Sequence, residues 1–115
     1  INYNCVMLDT SPIHIGAGAF IGPGTCLSCA GHSLDEKQRV EEGIGTSAPI
    51  ILEENVWLGA NCTVCGGVTI GKGSVIGAGS VVTRDIPAGV VAVGSPCRVL
   101  RKITEQDRLQ LTEEA

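Results

Sequence analysis

Aromatic residues are almost missing from this 115-residue sequence, which holds one Trp, one Tyr and one Phe. Globular cores usually rely on such side chains to fill space. Here the apolar fraction of 43% comes mainly from Ile, Val, Leu and Ala, and sixteen glycines are spread among them. A core of small branched side chains with regular glycines indicates thin layers that stack closely within a single domain.

Long apolar runs and an excess of basic charge are missing as well. No stretch of about eighteen apolar residues occurs, so we expect no membrane span. The net charge of −4 argues against nucleic acid as the main partner. The chain opens with Ile1 rather than Met, and no signal-peptide pattern follows. We therefore interpret it as a fragment or a processed chain.

Six cysteines are present, and Cys26/Cys29 and Cys62/Cys65 each have the spacing of half a zinc site. The gap between the two pairs is longer than in the usual zinc ribbon, and the repeat described below directs these side chains differently. We therefore expect no metal, and free thiols in a reducing, cytoplasmic environment.

A repeat of six residues organises the chain, a period that neither a plain strand nor a helical stripe has. Its first position is aliphatic, often with Gly directly after it, at Ile15, Ile21, Leu27, Leu52, Leu58, Val64, Ile70, Ile76 and Val82. Small or aliphatic residues recur four places later, at Ala19, Thr25, Val56, Cys62, Val68, Ser74, Ser80 and Ile86.

This period predicts a short strand and a sharp turn, repeated three times to complete a triangular coil. Each first-position residue would point inward and stack on its counterpart in the next coil. The predicted stacks are Ile15/Leu52/Ile70, Ile21/Leu58/Ile76 and Leu27/Val64/Val82. No single repeat can bury its own apolar face, so stability accrues by stacking.

The repeat is interrupted by a charged segment, residues 33–49, that lacks the aliphatic anchor. We predict a loop extruded from one corner of the coil. A long loop inside a tight repeat is usually functional, and a solvated insertion without a role is the alternative.

The repeat ends near residue 95, which divides the chain into a coil domain, 1–95, and a C-terminal extension, 96–115. Within the extension, residues 104–111 have the pattern of a short helix. Thr104 can cap this helix, with Asp107 three residues further on.

Two histidines are the candidate general bases, because imidazole titrates near neutral pH. His32 closes the last coil position before the extruded loop, at a concave junction where Gly31 leaves backbone room. His14 lies between the inward residues Ile13 and Ile15, so we expect it to face solvent. We therefore select His32 as the candidate catalytic residue.

Several stretches are more specific than the repeat itself. Gly31-His32 precedes the loop, Val56-Trp57-Leu58-Gly59 follows it, and Pro96-Cys97-Arg98 lies in the tail. The further matching stretches are 2–4, 8–9, 49–55, 67–71, 75–87, 94–95 and 99–101. Together they resemble the hexapeptide-repeat acyltransferases, and over nearly the whole chain the maltose and galactoside O-acetyltransferases.

This resemblance implies an all-β fold, a left-handed parallel β-helix that forms a homotrimer with active sites between subunits. It implies acetyl-CoA as co-substrate, with no metal, and a sugar of the maltose, glucose or galactoside type as acceptor. His32 would be the general base. Asn2 would orient the acceptor and help to stabilise the tetrahedral intermediate, although it can also be a chain-end residue without a task.

The resemblance also implies the coenzyme site. Trp57 would line the active-site tunnel, and the backbone N–H groups of Ala60 and Ala78 would bind the pantetheine arm. The positions around the adenosine phosphates, where Arg gives charge-assisted hydrogen bonds, are Thr83, Arg84, Arg98 and Arg101; each arginine can equally be solvated surface. At the acceptor contact, Thr10 stands where the galactoside enzyme has a second acidic residue, so the identity of the sugar stays open.

Three alternatives remain at the level of sequence. The same fold could acetylate a non-sugar hydroxyl, such as that of serine or of an antibiotic. A zinc carbonic anhydrase on this coil needs three histidine ligands, and the chain has two. A trimeric scaffold without catalysis is disfavoured by His32, Trp57 and the basic tail.

Overall fold

The structure, a computed structural model, describes residues 1–109 and consists almost entirely of short strands. The elements in chain order are β1 (Val6–Leu8), β2 (Ile13–Ile15), β3 (Phe20–Ile21), β4 (Cys26–Ser28), β5 (Ala30–His32), α1 (Glu36–Val40), β6 (Gly45–Ser47), β7 (Ile50–Leu52), β8 (Trp57–Leu58), β9 (Thr63–Cys65), β10 (Thr69–Ile70), β11 (Val75–Ile76), β12 (Val81–Val82), β13 (Val90–Gly94), β14 (Cys97–Lys102) and a 3₁₀ turn (Glu105–Asp107).

Three sheets form the faces of a triangular coil. Face 1 has the strand order β1-β4-β9-β12, face 2 the order β2-β7-β10, and face 3 the order β3-β8-β11-β13-β14. All neighbours pair in parallel except β13 and β14. The chain visits face 1, face 2 and face 3 in turn, so each face gains one strand per coil.

The register confirms all three predicted stacks. The paired residues are Ile15, Leu52 and Ile70; Ile21, Leu58 and Ile76; and Leu27, Val64 and Val82. All are buried in one core except Ile15, which is half-buried in the first coil. Each fully buried aliphatic side chain contributes about 1.5–3 kcal/mol, and the stacking distributes this term along the whole coil.

Glycine is required at the corners by close approach as well as by backbone conformation. A Cβ on Gly16 would lie 2.6 Å from the backbone nitrogen of Glu54 in the next coil, closer than real carbon atoms come. Gly73 instead has φ of +73° and open space around it. Asn55, with φ of 60°, shows that Asn also serves such a left-handed position.

The predicted extruded segment is present, and it contains a hairpin that the sequence did not predict. β5 and β6 pair antiparallel, and α1 lies at the tip of the hairpin. The side chain of Asp35 accepts a hydrogen bond of 2.9 Å from the backbone N–H of Gln38 and caps this helix. The periodicity argument misses the hairpin because antiparallel pairing follows no six-residue period.

The C-terminal extension adds a strand to face 3, because β14 pairs with β13. The helix predicted for 104–111 is only the 3₁₀ turn, and residues 110 and 111 lie outside the described part of the chain. The capping box of Thr104 and Asp107 is confirmed. No residue of the turn is buried.

Neither helix in the described part of the chain has the length and apolarity needed to span a bilayer.

Candidate active site

The candidate residues are divided among the corners of the coil. The hairpin corner joins face 1 to face 2 and comprises residues 9–12, 29–49, 66–68 and 83–85. The amide corner joins face 3 to face 1 and comprises residues 22–25, 59–62 and 77–80, with residues 2–5 above them. The third corner joins face 2 to face 3.

His32 is the last residue of β5 at the hairpin corner, where it pairs with Gly45 of β6. Its side chain is exposed. An imidazole on this projecting hairpin is therefore open to a reactant from outside its own coil.

Thr10 is joined to the base of the same hairpin by a side-chain contact. The hydroxyl of Thr10 lies 2.7 Å from the hydroxyl of Ser47, and the hydroxyl of Ser11 lies 2.5 Å from the same Ser47 hydroxyl. Ser47 pairs with Ala30, two residues before His32. The structure therefore brings Thr10 to β6, the partner of the strand that carries the candidate base. Sequence reasoning missed Ser47 because nothing in the repeat predicts the pairing of β5 with β6.

Two cavities flank the hairpin corner. One of about 320 Å³ lies at the base of the hairpin, between β5, β6 and the end of β9, and His32 is not part of its lining. The other, of about 390 Å³, is lined by Asp9, Thr10 and Ser11 together with residues of β1 and β2. In the second cavity, the predicted acceptor-binding residue Thr10 and the carboxylate of Asp9 are part of the same lining.

His14 lies away from these features, in β2 on face 2, where it pairs with Ile51 of β7. Its side chain is exposed while both neighbours, Ile13 and Ile15, are half-buried. The prediction that His14 faces solvent is confirmed.

Trp57 lies on face 3 with 51% of its surface exposed, directly before the fully buried Leu58. The register places it beside Phe20, which is 71% exposed, and Val75. The row continues through Val91 to Arg101. Sequence reasoning missed Phe20, although both aromatic residues directly precede a first-position residue of the repeat.

The amide corner presents backbone donors. Ala60 is half-buried and Ala78 is exposed. Within residues 1–109 the N–H groups of Ala60 and Ala78 donate to no backbone acceptor, although the carbonyl of Ala60 accepts a bond of 2.8 Å from Gly79. A ligand lying along this corner would meet two such donors in successive coils.

Asn2 lies at the start of the chain, above the amide corner. Its backbone N–H donates to the carbonyl of Ile21 at 3.1 Å, and its Oδ1 accepts a bond of 3.1 Å from the N–H of Tyr3. The side chain is thereby oriented, and its Nδ2 donates no hydrogen bond within the described residues. Asn2 and Tyr3 also line a cavity of about 350 Å³.

The residues predicted to surround the adenosine phosphates lie at the far end of the coil. Thr83 and Arg84 are exposed and follow β12 at the hairpin corner. Arg98, in β14, donates from Nη1 to the carbonyl of Cys97 at 3.1 Å.

Arg101 forms a two-pronged ion pair with Asp107, with N–O distances of 2.7 and 2.8 Å. The hydrogen bonds from Arg101, together with one from the backbone of Thr104, lower the pKa of Asp107 to about 2. The pairing raises the pKa of Arg101 in turn. The guanidinium therefore already has an anionic partner, which sequence reasoning did not predict.

The cysteines form no disulfide within residues 1–109, and no three His, Cys, Asp or Glu side chains of that range gather as metal ligands. Cys62 and Cys97 are buried in the core. Burial raises the pKa of both thiols.

One chain does not bring all the candidates together. His32 and Thr10 lie at the hairpin corner, whereas Asn2, Ala60 and Ala78 lie at the amide corner. Since these corners are different edges of the triangle, a site that uses all five residues needs two copies of the chain.

Comparison with known proteins identifies relatives for most of the chain. Residues 49–84 match a family model described as bacterial transferase hexapeptide, six repeats. The galactoside O-acetyltransferase of Escherichia coli is 45% identical over 107 residues, which are 93% of this chain and 52% of that protein. The chain spans about half the length of the curated relatives it matches.

Two solved structures are similar in both fold and sequence. A hexapeptide-repeat acetyltransferase of Vibrio cholerae, in complex with acetyl coenzyme A, superposes with a TM-score of 0.88 at 44% identity, covering 91% of this chain and 57% of that one. A maltose O-acetyltransferase of Clostridium difficile gives a TM-score of 0.87 at 45% identity, covering 90% and 55%.

Proposed function

Since this chain is a hexapeptide-repeat protein, a left-handed parallel β-helix related to the galactoside and maltose O-acetyltransferases, we propose that it carries the active site of an acetyl-CoA-dependent sugar O-acetyltransferase. The observation that carries this proposal is the match, at 44% identity and over 91% of this chain, to an acetyltransferase structure that holds acetyl coenzyme A. The reaction moves an acetyl group from the thioester to a hydroxyl of the acceptor.

His32 is the general base of the proposed reaction. Its imidazole accepts the proton of the acceptor hydroxyl as that oxygen attacks the thioester carbonyl. The tetrahedral intermediate then expels the thiolate of CoA, which takes the proton back from the imidazolium. The exposure of His32 on the projecting hairpin supports this role, and a positioned base of this kind contributes about 10²–10⁴-fold in rate.

Asn2 is the proposed donor to the oxyanion. The charge that develops on the carbonyl oxygen needs a donor whose direction is fixed before the reaction. The bond from the N–H of Tyr3 to Oδ1 of Asn2 holds the side-chain amide and leaves its Nδ2 for such a role.

The coenzyme lies along face 3 and the amide corner in this proposal. The N–H groups of Ala60 and Ala78 donate to the pantetheine arm, and Trp57 covers the reactive end. Cationic and hydroxyl side chains at the far end of the coil bind the adenosine phosphates. Arg98 and Arg101 come from face 3 of the same copy, and Thr83 and Arg84 from the hairpin corner of its neighbour.

The proposed assembly is a homotrimer with its sites between subunits. His32 and Thr10 come from one copy, and Asn2 with the amide corner from its neighbour; the division of these residues among corners of one chain supports this arrangement. The exposed Phe20 and Trp57 on face 3 support a site closed by a second copy, because a large apolar row seldom remains open to water.

The two histidines provide a matched test of the base. We expect His32→Ala to lower kcat by about 10²–10⁴-fold. His14 is also exposed but lies on face 2, so His14→Ala should keep the activity of the unmodified protein. The assay follows transfer of labelled acetyl from acetyl-CoA to a sugar, because the protein's own thiols would react with a thiol reagent. Equal activity of the two variants would exclude His32 as the base.

The acceptor is tested with a panel of maltose, glucose, galactosides, serine and hydroxyl-bearing antibiotics. Acetylation of a sugar with the highest kcat/KM supports the proposal. Preference for serine or an antibiotic would leave the acetyltransferase assignment intact and overturn the sugar assignment. No transfer to any acceptor, with no binding of acetyl-CoA, would overturn both.

A further inference from the structure

A column of hydroxyl and thiol groups runs inside the coil behind the amide corner. The small-residue positions of successive coils contribute the half-buried Cys5 and then Thr25, Cys62 and Ser80, and Cys97 of β14 lies at the end. Thr25, Cys62 and Ser80 are at most 1% exposed. Buried polar groups in an otherwise aliphatic core are costly unless each has a hydrogen-bond partner, so their partners indicate what the column does.

These groups donate to the carbonyls of the corner glycines. The hydroxyl of Ser80 donates to the carbonyl of Gly77 at 2.6 Å, and the thiol of Cys62 donates to the same oxygen at 3.3 Å. One coil earlier, the hydroxyl of Thr25 donates to the carbonyl of Gly59 at 3.4 Å. Interior side chains therefore hold the corner carbonyls inward.

The inward carbonyl determines the direction of the N–H that follows it. In a trans peptide the C=O of one residue and the N–H of the next point in opposite directions. With the carbonyl of Gly77 held inside, the N–H of Ala78 points outward, and the same reasoning applies to Gly59 and Ala60. Neither of these two N–H groups donates to a backbone acceptor within residues 1–109.

We propose that Ser80, assisted by Cys62 and Thr25, is a positioning residue for the coenzyme that holds the Ala78 and Ala60 amides toward the pantetheine arm. This inference rests on the proposed function. A hydrogen bond accepted by the carbonyl also polarises the peptide and strengthens its N–H as a donor. Ser80 is buried and touches no substrate, so it acts only through the peptide that it holds.

Ser74 provides a matched control at the third corner. It is 0% exposed, its hydroxyl donates to the carbonyl of Pro87 at 2.5 Å, and it accepts a bond of 3.1 Å from the N–H of Val90. Ser80 likewise accepts a bond of 3.0 Å from the N–H of Gly94. Truncation of either serine thus removes one hydrogen bond to a backbone carbonyl and one from a backbone N–H, and the two variants should lose similar stability.

The test compares Ser80→Ala with Ser74→Ala in calorimetric titrations with CoA and with adenosine 3′,5′-bisphosphate, which lacks the pantetheine amides. We expect Ser80→Ala to weaken CoA binding about fivefold, the effect of one net hydrogen bond, and to leave binding of the bisphosphate unchanged. Ser74→Ala should bind both ligands as the unmodified protein does. The KM for acetyl-CoA should rise in Ser80→Ala, with kcat at saturation unchanged.

Equal CoA affinities of the two variants would overturn the inference, and so would an equal loss of CoA and bisphosphate binding in Ser80→Ala. If the unmodified protein bound no CoA, the proposed function would fail first, and the inference with it. Should Ser80→Ala not fold, Ser80→Cys decides the question by the same comparison. It retains a weaker donor, of the kind present at Cys62, and should weaken CoA binding by less than fivefold and spare the bisphosphate.

Discussion

Trp57 and Leu58 are adjacent in sequence, yet 51% of the first and none of the second is exposed. The six-residue register decides such differences, because it fixes which face each side chain occupies. The same holds for the two histidines: His14 lies on a flat face, whereas His32 lies on the projecting hairpin. Residue type alone therefore does not distinguish the candidate site residues from other residues of the same kind, whereas position in the coil does.

The Arg101–Asp107 pair predicts a specific acid titration. The pKa of Asp107 is about 2, below the usual 3.8, because Arg101 and the backbone of Thr104 donate to its carboxylate. Since the folded-state pKa is depressed, the contribution of the pair is complete above pH 3.8 and is lost as the pH falls through about 2. Carbon-detected NMR titration of the Asp107 carboxyl should give this midpoint, and in Arg101→Gln the midpoint should move toward 3.8. An unchanged midpoint in that variant would contradict the pairing.

The cysteines predict an order of thiol reactivity. Burial raises the pKa of Cys62 and Cys97, so less of the reactive thiolate is present at pH 8. Cys5, Cys26 and Cys65 are only half-buried. Mass spectrometry after brief treatment with iodoacetamide should find these three cysteines alkylated before Cys62 and Cys97. The opposite order would show that the core opens readily.

At the scale of the element, the corners at residues 16–18, 22–24 and 71–73 combine a tight approach with a left-handed turn. The first-position residue builds the core, and the glycine after it lets the next coil pass close by. The left-handed residue then reverses the chain toward the next face. The hairpin departs from this pattern: its strands pair with each other and project outward, which separates the candidate base from the rigid core.

Two substitutions distinguish the corner requirements. Gly16→Ala should destabilise the protein by about 1–3 kcal/mol, because its Cβ would lie 2.6 Å from the backbone nitrogen of Glu54. Gly73→Asn should cost no more than about 0.5 kcal/mol, since nothing lies within 4 Å and Asn55 adopts a similar φ. Urea unfolding at one fixed protein concentration measures both changes. A larger loss for Gly73→Asn than for Gly16→Ala would contradict this account.

At the scale of the whole molecule, the triangular section separates groups that the proposed chemistry needs side by side. The hairpin corner carries the candidate base, and the amide corner carries the proposed coenzyme donors and Asn2. In the proposed assembly, packing of two copies, hairpin corner against amide corner, would join them. Because the same contact repeats around a closed ring, a cyclic trimer contains three such sites.

Complementation between two inactive variants tests this assembly. His32→Ala and Asn2→Ala should each be nearly inactive alone. When the two are mixed and their subunits exchange at random, one site in each mixed trimer receives both intact residues, so activity should return to about one quarter of that of the unmodified protein. Each variant taken alone through the same exchange is the control. Failure to recover activity, with mixed trimers detected by native mass spectrometry, would exclude a site shared between His32 and Asn2.

The sequence by itself determined the coil, because a stack such as Ile21, Leu58 and Ile76 follows from a local period that repeats without reference to distant contacts. It also determined that the residues on either side of His14, and Leu58 after Trp57, point inward. Only the tertiary structure decided the antiparallel hairpin, the contact of Thr10 with Ser47, and the division of His32 and Asn2 between two corners. These features depend on chain reversals and on partners in other coils, and a six-residue period carries no information about either.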